Sequence, residues 1–145
     1  MTSRERKLVA PGSGLFVAIV SLVVAFTALG YNSWRNEQSE FNRNIRRAGF
    51  EMLVHVAALQ RVTYLAHFEQ DLDGGNPRNG WVEVLVLRDL AVLMPESITR
   101  HAEELHTAWN DNWMGLGKSD LSVAAIDQTI DKLRKNVVAE LEALD

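Results

Sequence analysis

The sequence has no cysteine and little proline, and both absences limit what the chain can be. Without cysteine, its 145 residues form no disulfide, offer no thiolate nucleophile and supply no cysteine ligand for zinc. The three prolines are Pro11, Pro77 and Pro95, so residues 12–76 contain none. Because proline breaks helices, this interval can accommodate one long helix.

Basic charge is scarce over most of the chain. The formal net charge is −4, but residues 1–34 hold three of the 15 basic residues and only one of the 19 acidic residues. The remaining residues therefore hold 12 basic and 18 acidic side chains, a balance of −6. Since phosphate neutralisation needs clustered lysine and arginine, we do not expect this part to bind nucleic acid.

Charged side chains are absent from the stretch between Leu8 and Trp34. A helix of about 20 apolar residues spans the hydrocarbon core of a bilayer, and this stretch is long enough. We therefore predict a basic tail at residues 1–13 and a transmembrane helix at residues 14–34. Tyr31, Trp34 and Arg35 are the expected interface anchors.

A cleavable signal peptide is the alternative interpretation of this segment. Ala28-Leu29-Gly30 satisfies a small-x-small cleavage rule. The uncharged stretch is longer than a usual signal core, however, and the sequence after it can continue as helix. Both features favour a retained anchor.

The flanking charges favour one orientation of this helix. Arg4, Arg6 and Lys7 precede it, whereas only Arg35 follows closely. The more positive flank is expected in the cytoplasm of a bacterium, which places the following domain in the periplasm. Arg46 and Arg47 weaken this preference, because they still lie within the roughly 15–20 residues after the membrane helix over which basic charges influence its orientation.

Small side chains recur on one side of the predicted membrane helix at spacings of four and three residues. Such a seam lets another helix approach closely, although small residues are common in membrane helices in any case. We predict a packing seam formed by Gly14, Ala18, Ser21, Ala25 and Ala28.

Residues 35–145 are predicted to form an all-α, water-exposed bundle. Apolar residues at three- and four-residue steps predict helices at about 35–72, 80–114 (broken near 94–95) and 120–144. The first ends in the turn-forming run 73–77. The apolar stripe of the first helix is Phe41, Ile45, Ala48, Met52, Val56, Leu59, Thr63 and Ala66, and that of the last is Ile126, Ile130, Leu133, Val137, Leu141 and Leu144.

Pro95 leaves two arrangements open. If it only kinks its helix, residues 35–72 and 80–114 have similar lengths and form an antiparallel hairpin with the last helix in its groove. If the chain reverses there, a four-helix bundle results. The matched lengths favour the kinked hairpin, which would return Trp109, Trp113 and Met114 to the membrane surface as candidate partner-binding residues. Aromatic residues at helical spacing are, however, more often part of a core.

No residue pattern indicates catalysis, a cofactor or a metal. Glu103 and His106 have the Glu-x-x-His spacing of di-iron bundles, but the second copy that such a site needs is missing. Asp71 and Asp73 begin like a calcium loop, but the positions after them do not continue the pattern. We therefore expect a non-enzymatic protein.

Two functions fit these observations. The first is a membrane-anchored interaction or scaffold module, which self-associates or serves as an accessory subunit of a larger membrane complex. The second is a small-molecule sensor, because a membrane helix followed by a helical bundle resembles the input domains of bacterial chemoreceptors and sensor kinases. That resemblance is architectural, and the chain has one membrane segment and no signalling domain.

The juxtamembrane sequence carries a second resemblance. Residues 31–37 (Tyr-Asn-Ser-Trp-Arg-Asn-Glu) and 42–44 (Asn-Arg-Asn) are similar to the corresponding stretch of uncharacterised single-pass proteobacterial inner-membrane proteins. The resemblance implies the topology and a bacterial inner membrane, and it implies no activity.

Overall fold

The structure, a computed structural model, describes the backbone of residues 11–144 and the side chains of residues 14–144. Residues 1–10 of the predicted basic tail lie outside this range. Within it, the regular secondary structure is entirely helical: α1 (Pro11–Tyr64), α2 (Pro77–Ala91), α3 (Glu96–Asn112) and α4 (Asp120–Ala143), with a π-helical turn at Leu65–Glu69 and a 3-10 turn at Trp113–Gly115. The predicted all-α class is confirmed.

The chain divides into two units. The first, Met1–Glu40, contains the beginning of α1, and the second, Phe41–Asp145, contains the rest of α1 and the other three helices. Among the described residues, every buried hydrophobic side chain belongs to the second unit. This unit is the helical bundle, and its boundary falls six residues after the end predicted for the membrane helix.

The apolar stripe predicted for the first helix lies inside the bundle. Ile45, Met52, Val56 and Leu59 are all buried, because steps of three and four residues keep them on one face of α1. Thr63 at the end of this stripe is also buried, and its hydroxyl donates to the Leu59 carbonyl at 3.1 Å. Phe41, the first predicted member, is exposed instead.

α1 ends earlier than the turn residues alone indicate. Regular α-helix stops at Tyr64, and the π-helical turn carries the chain to Glu69. Gln70 then adopts a left-handed conformation with φ 50°, which ends the helical path. α2 begins at Pro77, where the missing amide costs nothing, and the Asn76 side chain accepts from the Arg78 amide at 3.0 Å.

The kinked hairpin that the helix lengths favour is wrong, because the chain reverses at Pro95. α2 ends at Ala91, and α3 starts directly after Pro95. Proline has no amide to continue α2 and pushes Met94 away from helical conformation. The hydroxyl of Thr99 donates to the Ala91 carbonyl at 2.9 Å, and the Met94 amide donates to the same carbonyl at 3.0 Å, so the first turn of α3 is tied to the end of α2.

α4 follows the sequence prediction closely. The Ser119 hydroxyl accepts from the Ser122 amide at 3.2 Å and caps the helix start. Its stripe points into the bundle: Ile126, Ile130, Leu133 and Val137 are buried. Leu141 and Leu144, at its end, are partly buried against the same core.

Side-chain pairs define the order of the helices around the bundle. α1 contacts α2 through His55 and Glu83, and α4 through Gln60 and Arg134. α3 lies between α2 and α4: its Glu103 faces Arg88, and its Glu104 binds Lys132. Short connections join helices that run in opposite directions, so the second unit is an up-down-up-down four-helix bundle.

Candidate functional site

The described part of the first unit is helical, and its side chains from Gly14 onward are exposed. Every residue from Gly14 to Glu40 is exposed, including the whole predicted packing seam: Gly14, Ala18, Ser21, Ala25 and Ala28. The Thr27 hydroxyl donates to the Val23 carbonyl at 2.8 Å, so this polar group is satisfied within the helix. This helix is long and apolar enough to cross a membrane.

The predicted interface anchors follow the apolar stretch on the same helix. The rings of Tyr31 and Trp34 lie 6.1 Å apart, three residues along one face, and both are exposed. Arg35 follows directly and is also exposed. Two amphipathic rings and a guanidinium therefore occupy a single turn, the composition typical of a headgroup boundary.

At one end of the bundle, the turn after α1 folds back onto the π-helical turn. The Asp71 carboxylate accepts from the amides of Asp73 and Gly74 at 2.9 and 3.1 Å. A Cβ on Gly75 would lie only 2.3 Å from the Ala66 amide nitrogen, so this close approach requires glycine. We refer to this end, which contains the turns 65–76 and 113–119, as the loop end.

His67 connects three elements at the loop end. Its Nδ1 lies 3.2 Å from the Leu116 carbonyl, and its Nε2 lies 3.0 Å from a carboxylate oxygen of Asp120. Both neighbours are acceptors, so both hydrogen bonds form together only when the ring carries a proton on each nitrogen. The π-helical turn after α1, the turn before α4 and the first residue of α4 therefore meet at one side chain.

A pocket of about 390 Å³ opens between these turns. Its lining includes Ala66, Leu72, Pro77, Met114 and Lys118. Leu72 and Met114 are 87% and 79% exposed, which is unusual for large apolar side chains. The lining also contains the polar side chains of Gln70, Asp71 and Asn76. A pocket with apolar walls and several polar groups at its edge can accept a small amphipathic molecule.

The three predicted partner-binding residues have different environments. Trp109 lies in the core with no exposed area, Trp113 is partly buried against that core, and only Met114 is on the surface. Trp109 fits because α2 has a glycine opposite it: a Cβ on Gly80 would lie 2.2 Å from the indole ring. The indole nitrogen of Trp109 has no acceptor among the described residues.

Each histidine of the chain contacts an acidic side chain or an aromatic ring. His55 pairs with Glu83 at 2.6 Å across α1 and α2, whereas His106 packs edge-on against Trp81. Glu103, the other half of the Glu-x-x-His pair, faces Arg88 instead. Within the described part of the chain, no three metal-ligating side chains cluster.

Two carboxyl groups have shifted pKa values. Hydrogen bonds from Lys132, and secondarily from His101, hold the pKa of Glu104 below its usual range. Burial raises the pKa of Asp127, and the nearby charge of Asp131 adds to this effect. One carboxylate oxygen of Asp127 also has no hydrogen-bond partner among the described residues. Both shifts arise from contacts between and along the packed helices, and Glu104 also lines an open pocket on α3 together with Glu103 and Asp111.

Sequence reasoning missed a groove between α1 and α4, near the Phe41 end of the bundle. The groove has a volume of about 460 Å³ and is lined by Arg46, Phe50, Leu53, Val138, Leu141 and Glu142, which together define the α1/α4 groove. Phe50 is 58% exposed although it is large and apolar. The available signal was Phe50 and Val54, a four-residue apolar step outside the core stripe.

Over residues 11–144, these observations define an all-α fold with an apolar helix of membrane-spanning length and a four-helix bundle that exposes apolar residues at the loop end and in the α1/α4 groove. Compared with known proteins, the chain matches no family model, no curated protein and no solved structure.

Proposed function

We propose that this chain is a single-pass protein of a bacterial inner membrane whose bundle acts as a non-enzymatic interaction module. The observation that supports this most is the apolar helix from Gly14 to Trp34, in which every side chain is exposed. In water, an apolar surface of this length would drive aggregation, whereas in a bilayer it is favourable.

The bundle itself supports the interaction part of the proposal. Its surface keeps large apolar residues exposed at the loop end and in the α1/α4 groove, while the core is complete without them. Exposed apolar area of this kind commonly marks a site that another protein covers. The module either self-associates or attaches to a larger membrane complex.

Charge placed in the apolar segment tests the anchor. Replacing Val20 and Val24 by arginine should move the full-length chain out of the carbonate-washed membrane fraction, because each arginine at the centre of a membrane helix costs about 2.5–3.5 kcal/mol. The control is Val82→Arg with Val92→Arg, the same change at exposed bundle positions. A double variant at Val20 and Val24 that stays with the membrane as the control does would contradict the anchor.

The proposed orientation places the bundle in the periplasm. The cysteine-free sequence allows a clean test, because Leu72→Cys would be the only thiol and its position is 87% exposed. A membrane-impermeant maleimide should label this thiol in intact cells with a permeabilised outer membrane. Labelling only after cell lysis would place the bundle in the cytoplasm.

A ligand sensor is the second candidate, and the loop-end pocket is the observation that favours it. A sensor should gain thermal stability with some member of a small-molecule library, because a ligand that binds only the folded state raises its stability. Lys118→Ala, in the pocket lining, should abolish that gain, whereas Lys135→Ala on the outside of α4 should retain it. If no compound in the library raises the thermal stability of the chain, the result contradicts the sensor hypothesis.

A further inference from the structure

The floor of the α1/α4 groove is apolar, and part of it is exposed to solvent. Phe50 and Val138, on opposite sides of it, are 58% and 37% exposed, and Val54 extends the apolar surface one turn along α1. Leu141 packs against the Cα of Gly49, where an added Cβ would lie 2.8 Å from its side chain. This close approach brings α1 and α4 together below the exposed residues.

The two rims of the groove carry opposite charge. Arg46 lies on the α1 rim, with Arg43 and Arg47 on the same exposed part of that helix. Glu142 lies on the α4 rim, one turn after Val138. Arg46 also contacts the Leu144 carbonyl at 3.5 Å, so the basic and acidic rims stand at the same level along the bundle.

We propose that the α1/α4 groove is the interface with a second copy of this chain, related by a two-fold axis parallel to the helices. Such an axis places α1 of each copy against α4 of the other, so each basic rim meets an acidic rim at the same level and the apolar floors cover each other. The inference rests on the proposed function, because it specifies how the proposed interaction module self-associates.

Charge reversal tests the pairing of the rims. In the full-length chain in detergent, Arg46→Glu and Glu142→Arg should each weaken the dimer by about ten-fold, because like charges then face each other. The double variant Arg46→Glu with Glu142→Arg should restore it. The helical circular dichroism and thermal transition of each variant verify that the fold is intact. Folded single variants that stay dimeric, or a folded double variant that does not recover, would overturn the proposal.

Cysteine cross-linking tests the geometry, because the chain contains no other thiol. Full-length chains carrying Phe50→Cys and Val138→Cys, with different tags, are co-expressed and oxidised in the membrane. A mixed disulfide between the two tagged chains is expected. In the control, Val82→Cys replaces Val138→Cys, the same change at an exposed position on α2, and no mixed product is expected.

The outcomes separate this inference from the proposed function. Cross-linking of Val138→Cys only to a different protein would assign the groove to that partner and overturn the second copy. A chain that is monomeric but remains in the membrane fraction overturns the dimer alone. A chain recovered from the aqueous fraction contradicts the anchor, and the charge-reversal result then still decides whether the groove pairs two copies.

Discussion

Trp109, the largest core side chain, fits into the bundle because Gly80 opposite it has no side chain. A methyl group there would lie 2.2 Å from two carbons of the Trp109 ring, which is itself fully buried and cannot swing into solvent. We expect Gly80→Ala to lower the free energy of unfolding by about 1–3 kcal/mol, the usual cost of overpacking a core. Chemical denaturation followed by far-ultraviolet circular dichroism measures this value.

Gly117→Ala is the matched control for Gly80→Ala. The nearest heavy atom to its added Cβ is the Ala66 carbonyl oxygen at 3.4 Å, an ordinary contact distance. We expect a change within about 0.5 kcal/mol. Equal effects of the two variants would mean that Trp109 moves freely, contrary to the packing described above.

Asp127 is expected to reduce stability at neutral pH. Burial raises its pKa, so the folded state holds the proton more tightly than the unfolded chain does. Its contribution to the free energy of unfolding therefore falls as the pH rises through the interval from the ordinary aspartate value, about 3.9, to the folded value. Asp127→Asn should stabilise the chain at pH 7, by less than about 1 kcal/mol for a partly exposed group, and this gain should vanish at acidic pH.

Asp89→Asn separates the burial effect from a general effect of removing negative charge. Asp89 is exposed on α2 and does not contribute to the raised pKa of Asp127, so its substitution removes one negative charge and no buried one. Denaturation curves at several pH values should show no gain for this variant. A gain of the same size in both variants would attribute the effect to net charge.

The apolar stripes could be predicted from the sequence, but the environment of each tryptophan could not. Periodicity identifies Ile126, Ile130 and Leu133 as core because it fixes their face on α4. Trp109 follows the same kind of step, but whether its ring is covered depends on Gly80, 29 residues earlier. Contacts between helices of this kind carry no local sequence signal.

Among the elements, α4 depends on the cap at its start. The Ser119 hydroxyl accepts from the Ser122 amide, which would otherwise lack a partner within the helix. Ser119→Ala should lower the free energy of unfolding by about 1 kcal/mol, the usual loss for an N-cap. Ser97→Ala, in the first turn of α3 but past its cap position, is the comparison and should have little effect. Equal losses at both positions would exclude capping as the cause.

The helix boundaries were predictable only where local chemistry determines them. The starts of α2 and α4 follow from Asn76 and Ser119, because a capping side chain accepts a hydrogen bond from an amide only two or three residues later. The end of α1 was placed too late, because a π-helical turn and a left-handed Gln70 precede the glycine-rich turn. At Pro95, a kink and a reversal satisfy the same local rules, and packing of α3 on α4 and α2 selects the reversal.

At the scale of the whole molecule, the two units depend on different environments. The bundle buries its apolar stripes against one another, whereas the helix from Gly14 to Glu40 buries none of its residues. The sequence predicts a division after residue 34, because residues 14–34 lack charged side chains while the apolar stripes after them alternate with polar residues. The exposed apolar surfaces of the bundle could not be located from the sequence, since an exposed and a buried phenylalanine look alike until the neighbouring helices are placed.

A fragment of residues 40–145 should fold without the apolar helix. It retains every buried hydrophobic residue of the described chain, from Ile45 to Val137, together with the turns that join the four helices. We expect it to be soluble without detergent, helical, and to unfold cooperatively with a stability in the range of about 5–15 kcal/mol. The same fragment with Ile130→Asp should not fold, because this change buries an unpaired charge in the core. A wild-type fragment that also fails to fold would mean that the bundle needs the preceding helix. The two units would then not be independent folding units.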